Sequence, residues 1–211
     1  MEIKEGIIVG ICGDETKNYI VKKYQKESCG CLNFETHIFE KTTEEDIAKE
    51  GIKITRAIDA LKLVGLDETY LKKNPLELST TEQKKIMLAG VLAGNPKIII
   101  LDDFEKGLVK NEQKRIKNLL KTLNQKFNKT IIIISNNTNF LKNLCEYFYL
   151  ISKGEVILED DKEIFDNDLL YKHIDMPKIR EFIEYANSLG HKFDNYEDVK
   201  ELIKAVYRDT K

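Results

Sequence analysis

The sequence predicts an α/β fold, a parallel sheet flanked by helices, and two observations carry that reading. Short, unbroken apolar runs recur at Gly6–Gly13, Ile98–Leu101 and Thr130–Ile134. They lack polar alternation, as strands covered on both faces of a parallel sheet do. Between them lie stretches with apolar residues at helical spacing: Arg56–Leu66, Ser79 to Ala93, and Asn111–Phe127. At 211 residues and 42% hydrophobic content the chain suits one medium domain with a short appendage. The 34 basic and 36 acidic residues leave a net charge of −2, so no basic field points to nucleic acid. No apolar run is long enough to span a bilayer, so membrane association is expected to go through a partner. Cys12, Cys29, Cys31 and Cys145 lack the paired spacing of a zinc site and read as reduced thiols of a cytosolic protein.

Taken in order, Gly6–Gly13 is a strand ending in glycines before a helix. Such a turn lets backbone N–H groups converge on an anion at a helix N-terminus, and makes Gly10 and Gly13 candidate phosphate-loop residues. Thr36–Glu40 reads as the next strand, and Arg56–Leu66 as an amphipathic helix with Ile58, Leu61, Leu63, Val64 and Leu66 on its apolar side. The stretch Asn74–Val109 organises the rest. Ser79 and Glu82 have capping-box spacing, so each can satisfy a free backbone N–H at the helix start. Ile86, Met87, Ala89, Gly90 and Ala93 form one small or apolar face, Gly94-Asn95-Pro96 stops the helix, and the strand Ile98–Leu101 runs into Asp102 and Asp103. Asn111–Phe127 presents Ile116, Leu119, Leu120 and Leu123 on one face, and Thr130–Ile134 follows as a buried strand. Phe140–Tyr147 reads as a helix, and Phe148–Ser152 with Glu155–Glu159 as a hairpin across Lys153-Gly154. Pro177 opens one C-terminal helix and Asn195 is the expected N-cap of another.

Leu78-Ser79-Thr80-Thr81-Glu82, then Ala93 and Pro96, then Asp102-Asp103, then Lys106-Gly107-Leu108-Val109 keep a characteristic order and spacing. They resemble the signature, helix and Walker B region of ATP-binding-cassette (ABC) ATPases, with several of the chemically active letters replaced. Thr42–Ile47 resembles the start of that family's helical subdomain. Leu169–Val206 resembles the C-terminal extension of energy-coupling-factor (ECF) transporter ATPases. The resemblance implies a P-loop NTPase-like domain over residues 1–165, with a helical subdomain at about 43–92. A small helical extension would occupy residues 166–211. Only five residues precede Gly6, so the family's N-terminal antiparallel β-subdomain is expected to be largely missing.

The same resemblance implies site residues. Without a gap, Glu15 and Thr16 fall on the last glycine and the lysine of the phosphate loop. One inserted residue instead places Lys17 at the lysine and Asn18 at the magnesium-binding Ser/Thr, and is preferred because it puts Ile20 and Val21 on apolar helix positions. Nucleotide contacts would then come from Gly10, Gly13, Lys17 and Asn18, and from the signature residues Ser79, Thr80, Thr81 and Glu82. Asp102 and Asn18 would hold magnesium, and Asp103, Asn136 and Glu40 stand at the catalytic positions. ATP and Mg are both expected to bind weakly, since Asp14 and Glu15 put negative charge at the triphosphate. Val109 replaces the aspartate that couples two sites. The implied partners are a second ABC ATPase subunit, identical or not, and a membrane-embedded coupling subunit. That would make the chain cytoplasmic and peripheral on the membrane. Two alternatives are an active ATPase with an unusual site, and a non-enzymatic interaction protein on the same fold.

Overall fold

The computed structural model describes residues 1–14, 20, 23–24, 29–48, 51–196 and 198–209. Six strands form one sheet in the order β2-β3-β4-β1-β5-β6. They are β1 (Ile8–Gly13), β2 (Cys29–Asn33), β3 (Ile98–Asp102), β4 (Thr130–Ile134), β5 (Tyr147–Ser152) and β6 (Glu155–Asp160). The first five run parallel and β6 closes the edge antiparallel to β5. Every residue of β3 and β4 is buried, which is why both read as unbroken apolar runs, whereas β6 alternates in and out of solvent. Val9, Ile11, Ile100, Ile132, Ile134 and Ile151 belong to one buried cluster, joined by Ile20 and Tyr24 four residues apart. Among the described residues no strand precedes Ile8.

The expected strand at Thr36–Glu40 is not there. β2 lies earlier, at Cys29–Asn33, and pairs residue for residue with β3 from Cys29 opposite Ile98 to Asn33 opposite Asp102. Gly30 permits this, because a Cβ there would stand 2.4 Å from Val91 Cγ1 of the covering helix. The Asn33 side chain then accepts from the Thr36 amide at 3.0 Å and starts a 3-10 turn, Phe34–Thr36, that carries the chain out of the sheet. The aromatic letters of Thr36–Glu40 pack locally instead, with His37 against Phe39 and 3.1 Å from Asp46.

The segment that follows is mostly helical, as expected: α1 (Thr43–Ile47), α2 (Ile54–Leu63), two 3-10 turns and α3 (Thr80–Gly94). α3 opens on the Ser79–Glu82 capping box and ends at Asn95 in the left-handed region (φ 52°). It packs against α1, α2 and β2, so Ile86 to Ala89 are all buried, and its apolar surface is broader than one stripe. α4 (Lys110–Phe127) buries Ile116, Leu120 and Leu123. The helix expected at Phe140–Tyr147 is shorter and earlier, α5 (Thr138–Lys142). Asn137 caps its start, and Tyr147 already lies opposite Val9 in the sheet.

Residues 1–167 form one compact unit and residues 168–211 a second. The second holds α6 (Lys178–Ser188), entered through Pro177, and α7 (Val199–Asp209). Asp198, not Asn195, stands at the start of α7. Its carboxylate accepts from the Lys200 amide at 2.6 Å and its carbonyl from Leu202 at 3.1 Å. Among the described residues no helix is long and apolar enough to cross a membrane.

Candidate functional site

In a parallel sheet the strand carboxyl ends leave a crevice where ligands bind. Here the ends of β1, β2, β3 and β4 bring Gly13, Asn33, Asp102 and Asn136 around a cleft of about 500 Å³. Gly13 has a φ of 108°, and a Cβ there would fall 2.0 Å from the Ile151 carbonyl oxygen, so only glycine fits. Its N–H donates to Asn136 Oδ1 at 2.8 Å. Asp102 ends β3 nearly buried, its Oδ2 accepting from Asn33 Nδ2. Asp103 takes the left-handed conformation (φ 47°), which turns the chain sharply out of β3. Its carboxylate is paired with Lys106 Nζ at 2.6 Å.

Behind the cleft lies a charged layer. Lys84 is 3% exposed and donates to the carbonyls of Phe104 at 2.9 Å and Lys106 at 2.5 Å. Burial pushes its ammonium below the usual lysine range, against the pull of Glu105 and Asp103. Glu105 is 2% exposed and accepts a hydrogen bond from Ser135 Oγ. Burial pushes its carboxyl up, opposed by that hydrogen bond. A carboxyl raised in the fold favours the protonated form there. Its contribution to stability is therefore complete below its ordinary value of 4.5 and is lost as pH rises through the folded value. Glu105→Gln, which cannot ionise, is thus expected to gain in Tm on the wild type as pH rises above about 5. A melting-point difference that stays flat or narrows over that range would refute the assignment.

The cleft brings together five of the sequence-predicted residues: Gly13, Thr80, Asp102, Asp103 and Asn136. Gly10 is not among them. It lies inside β1, where a Cβ would meet Phe148 Cδ1 at 2.7 Å, so it is a packing glycine rather than a ligand contact. Glu40 is exposed and away from the cleft, and Asn33 takes the strand-end position expected of it. Ser79, Thr81 and Glu82 lie outside the cleft, at the start of α3. There Ser79 Oγ donates to Glu82 Oε2 at 2.6 Å and Tyr70 donates to Glu82 Oε1 at 2.6 Å. Those bonds, the Ser79 side chain's first, hold the Glu82 carboxyl down to about 2. Glu15, Thr16, Lys17, Asn18 and Val21 lie outside the described residues. Sequence reasoning missed Asn33, Lys84, Glu105 and Lys106. Nothing periodic marks them, and the strand misplaced at Thr36–Glu40 hid Asn33. No group of three or more His, Cys, Asp or Glu residues that could hold a metal occurs among the described residues.

The model of the ABC transporter family matches residues 2–106. The ECF transporter ATP-binding protein EcfA2 of Enterococcus faecalis is 29% identical over 194 residues, covering 85% of this chain and 66% of that protein. EcfA2 of Streptococcus agalactiae is 32% identical over 169 residues, covering 75% and 59%. The chain thus spans less than two thirds of the length of these two relatives. Among solved structures, cbiO1 from Clostridium perfringens, part of the ABC transporter complex cbiONQ, superposes with a TM-score of 0.69 at 21% identity. That match covers 90% of this chain and 89% of cbiO1. The cassette MJ0796, captured as a post-hydrolysis dimer with ADP and phosphate, superposes with a TM-score of 0.67 at 22% identity, covering 77% and 88%. At these identities the superpositions speak to the fold alone.

Proposed function

Because this chain belongs to the ABC transporter family of ATP-binding cassettes and is homologous to ECF transporter ATP-binding subunits, we propose that it is a divergent cassette subunit of an ECF-like importer, weakly active or inactive alone. It pairs with a second, intact ATPase subunit and reaches the membrane through an embedded coupling subunit. The observation that carries the reading is the state of Asp103. The carboxylate at the water-activating position accepts from Lys106 Nζ at 2.6 Å, so it is engaged by a cation of its own chain.

The residues present fit a nucleotide and magnesium, though weakly. Asp102 supplies one nearly buried carboxylate in the cleft, and magnesium ordinarily takes one or two carboxylates together with phosphate oxygens and water. Gly13 offers a backbone N–H at a turn without a Cβ, and Lys17 and Asn18 remain proposed contacts. Magnesium and phosphate charge together supply the electrostatics of phosphoryl transfer when bound. The chain's own groups work against that. The Gly13 N–H is already donated to Asn136, so a phosphate must displace that bond. Isothermal titration with Mg-ATP is expected to give a Kd weaker than about 100 μM, roughly −5.5 kcal/mol. Submicromolar affinity would overturn this reading.

One observation favours a second reading, in which the chain is an active ATPase with an unusual site. Thr80 of the signature lines the same cleft as Gly13, Asp102 and Asn136, so one chain gathers residues that two chains would otherwise share. If no nucleotide binds at any concentration, the non-enzymatic interaction protein is left.

A further inference from the structure

We propose that Glu105 is a positioning residue that holds the loop after β4 against Gly13 at the end of β1, so that Asn136 acts as a built-in competitor for the phosphate groups of a nucleotide. The inference rests on the nucleotide-binding reading above and names the device that sets the affinity. Ser135 is the hub. It is 2% exposed, its hydroxyl donates to Glu105 Oε1, and its oxygen accepts from the Asn137 amide at 3.0 Å. Those two bonds bracket Asn136, whose Oδ1 takes the Gly13 N–H at 2.8 Å. Glu105 is itself clamped. Its carbonyl accepts from the Leu108 amide at 3.1 Å, and the carbonyls on either side of it accept from Lys84 at 2.9 and 2.5 Å.

Glu105 Oε2 is buried without a hydrogen-bond partner among the described residues. Packing alone does not favour a carboxyl here, since a buried polar atom left unsatisfied costs stability that a smaller or apolar side chain would not. What the carboxyl adds is an acceptor that fixes the Ser135 rotamer, and through it the register of Asn136 on Gly13. An anion entering the cleft needs that same N–H. Each bond fastening Asn136 to Gly13 therefore counts against binding.

The test uses the full chain with Glu105→Ala, Glu105→Gln and Ser135→Ala, and two measurements. In amide hydrogen exchange, Glu105→Ala and Ser135→Ala should each raise exchange at Asn137 and Gly13 by about tenfold or more, with Ile99–Leu101 of β3 unchanged. In Mg-ATP titration, Glu105→Ala should bind about tenfold tighter than the wild type, because the competitor is loosened. Glu105→Gln keeps an oxygen facing Ser135, and should stay within about twofold of the wild type in both measurements. A merely structural role would weaken binding, so tighter binding restored to wild-type weakness by Gln is the distinguishing result. Unchanged exchange in Glu105→Ala and Ser135→Ala overturns the proposal, as does Glu105→Ala binding no tighter than the wild type. If exchange rises at Asn137 and Gly13 but no variant nor the wild type binds Mg-ATP, the nucleotide reading fails, and the competitor role fails with it. Should Glu105→Ala not fold, Ser135→Ala, which removes one oxygen, carries both measurements.

Discussion

Ser79→Arg is expected to lower ATP turnover by the complex of this chain with its ATPase partner by about a hundredfold or more, while Asp103→Asn leaves it within about twofold. On the proposed pairing, one working site would combine the partner's phosphate loop with this chain's signature. Ser79 is exposed at the N-terminus of α3, where free backbone N–H groups and the helix dipole favour an anion. Arginine there brings bulk into the path of the γ-phosphate and removes the hydroxyl. It also removes the cap, at about 1 kcal/mol of stability. Thermal unfolding of the variant chain separates that modest loss from the loss of turnover. On the same proposal Asp103 would serve the other site, where its carboxylate is already paired with Lys106, so its removal is expected to cost little chemistry. Steady-state phosphate release by the purified complex decides the matter. If Asp103→Asn abolishes turnover and Ser79→Arg does not, the chain is itself the catalyst, in the manner that Thr80 in its own cleft suggests.

Gly13→Ala should be the most damaging single substitution to the fold at this site. A methyl group would fall 2.0 Å from the Ile151 carbonyl oxygen, and that oxygen is fixed because it also accepts from the Asp14 amide at 2.9 Å. The backbone would in addition hold alanine at a φ of 108°, which costs an L-residue stability whatever space is available. Relief requires β1 and β5 to separate at their carboxyl ends. We expect a loss of about 2–4 kcal/mol, seen as a lower urea midpoint with an unchanged slope. Because the same movement takes the Gly13 N–H away from the cleft, Mg-ATP binding should also disappear. An unchanged midpoint would mean that the turn after β1 has more freedom than the geometry allows.

Features settled within a few residues were legible from the letters alone. The Ser79–Glu82 box rests on side chains meeting backbone N–H groups three positions away, the stop at Asn95 on a left-handed backbone conformation, and the entry to α6 on the fixed φ of Pro177. The runs Ile98–Leu101 and Thr130–Ile134 were equally plain, because burial on both faces leaves no room for a polar residue. Even so, Asp102 and Asp103 could be placed only at a strand end, without their surroundings.

Tertiary structure decided the rest. Cys29–Asn33 carries little strand propensity and becomes β2 because β3 offers it a partner edge, with Gly30 admitting α3 alongside. The stretch Thr36–Glu40 reads better as a strand and loses, since Asn33 turns the chain away before it. The bonds that define the cleft join residues far apart in sequence: Gly13 to Asn136 across 123 positions, Asn33 to Asp102 across 69, and Glu105 to Ser135 across 30. Periodicity reports which face of an element is buried. It does not report which polar atom waits on the other side, and that pairing arises only when the sheet brings the strand ends together.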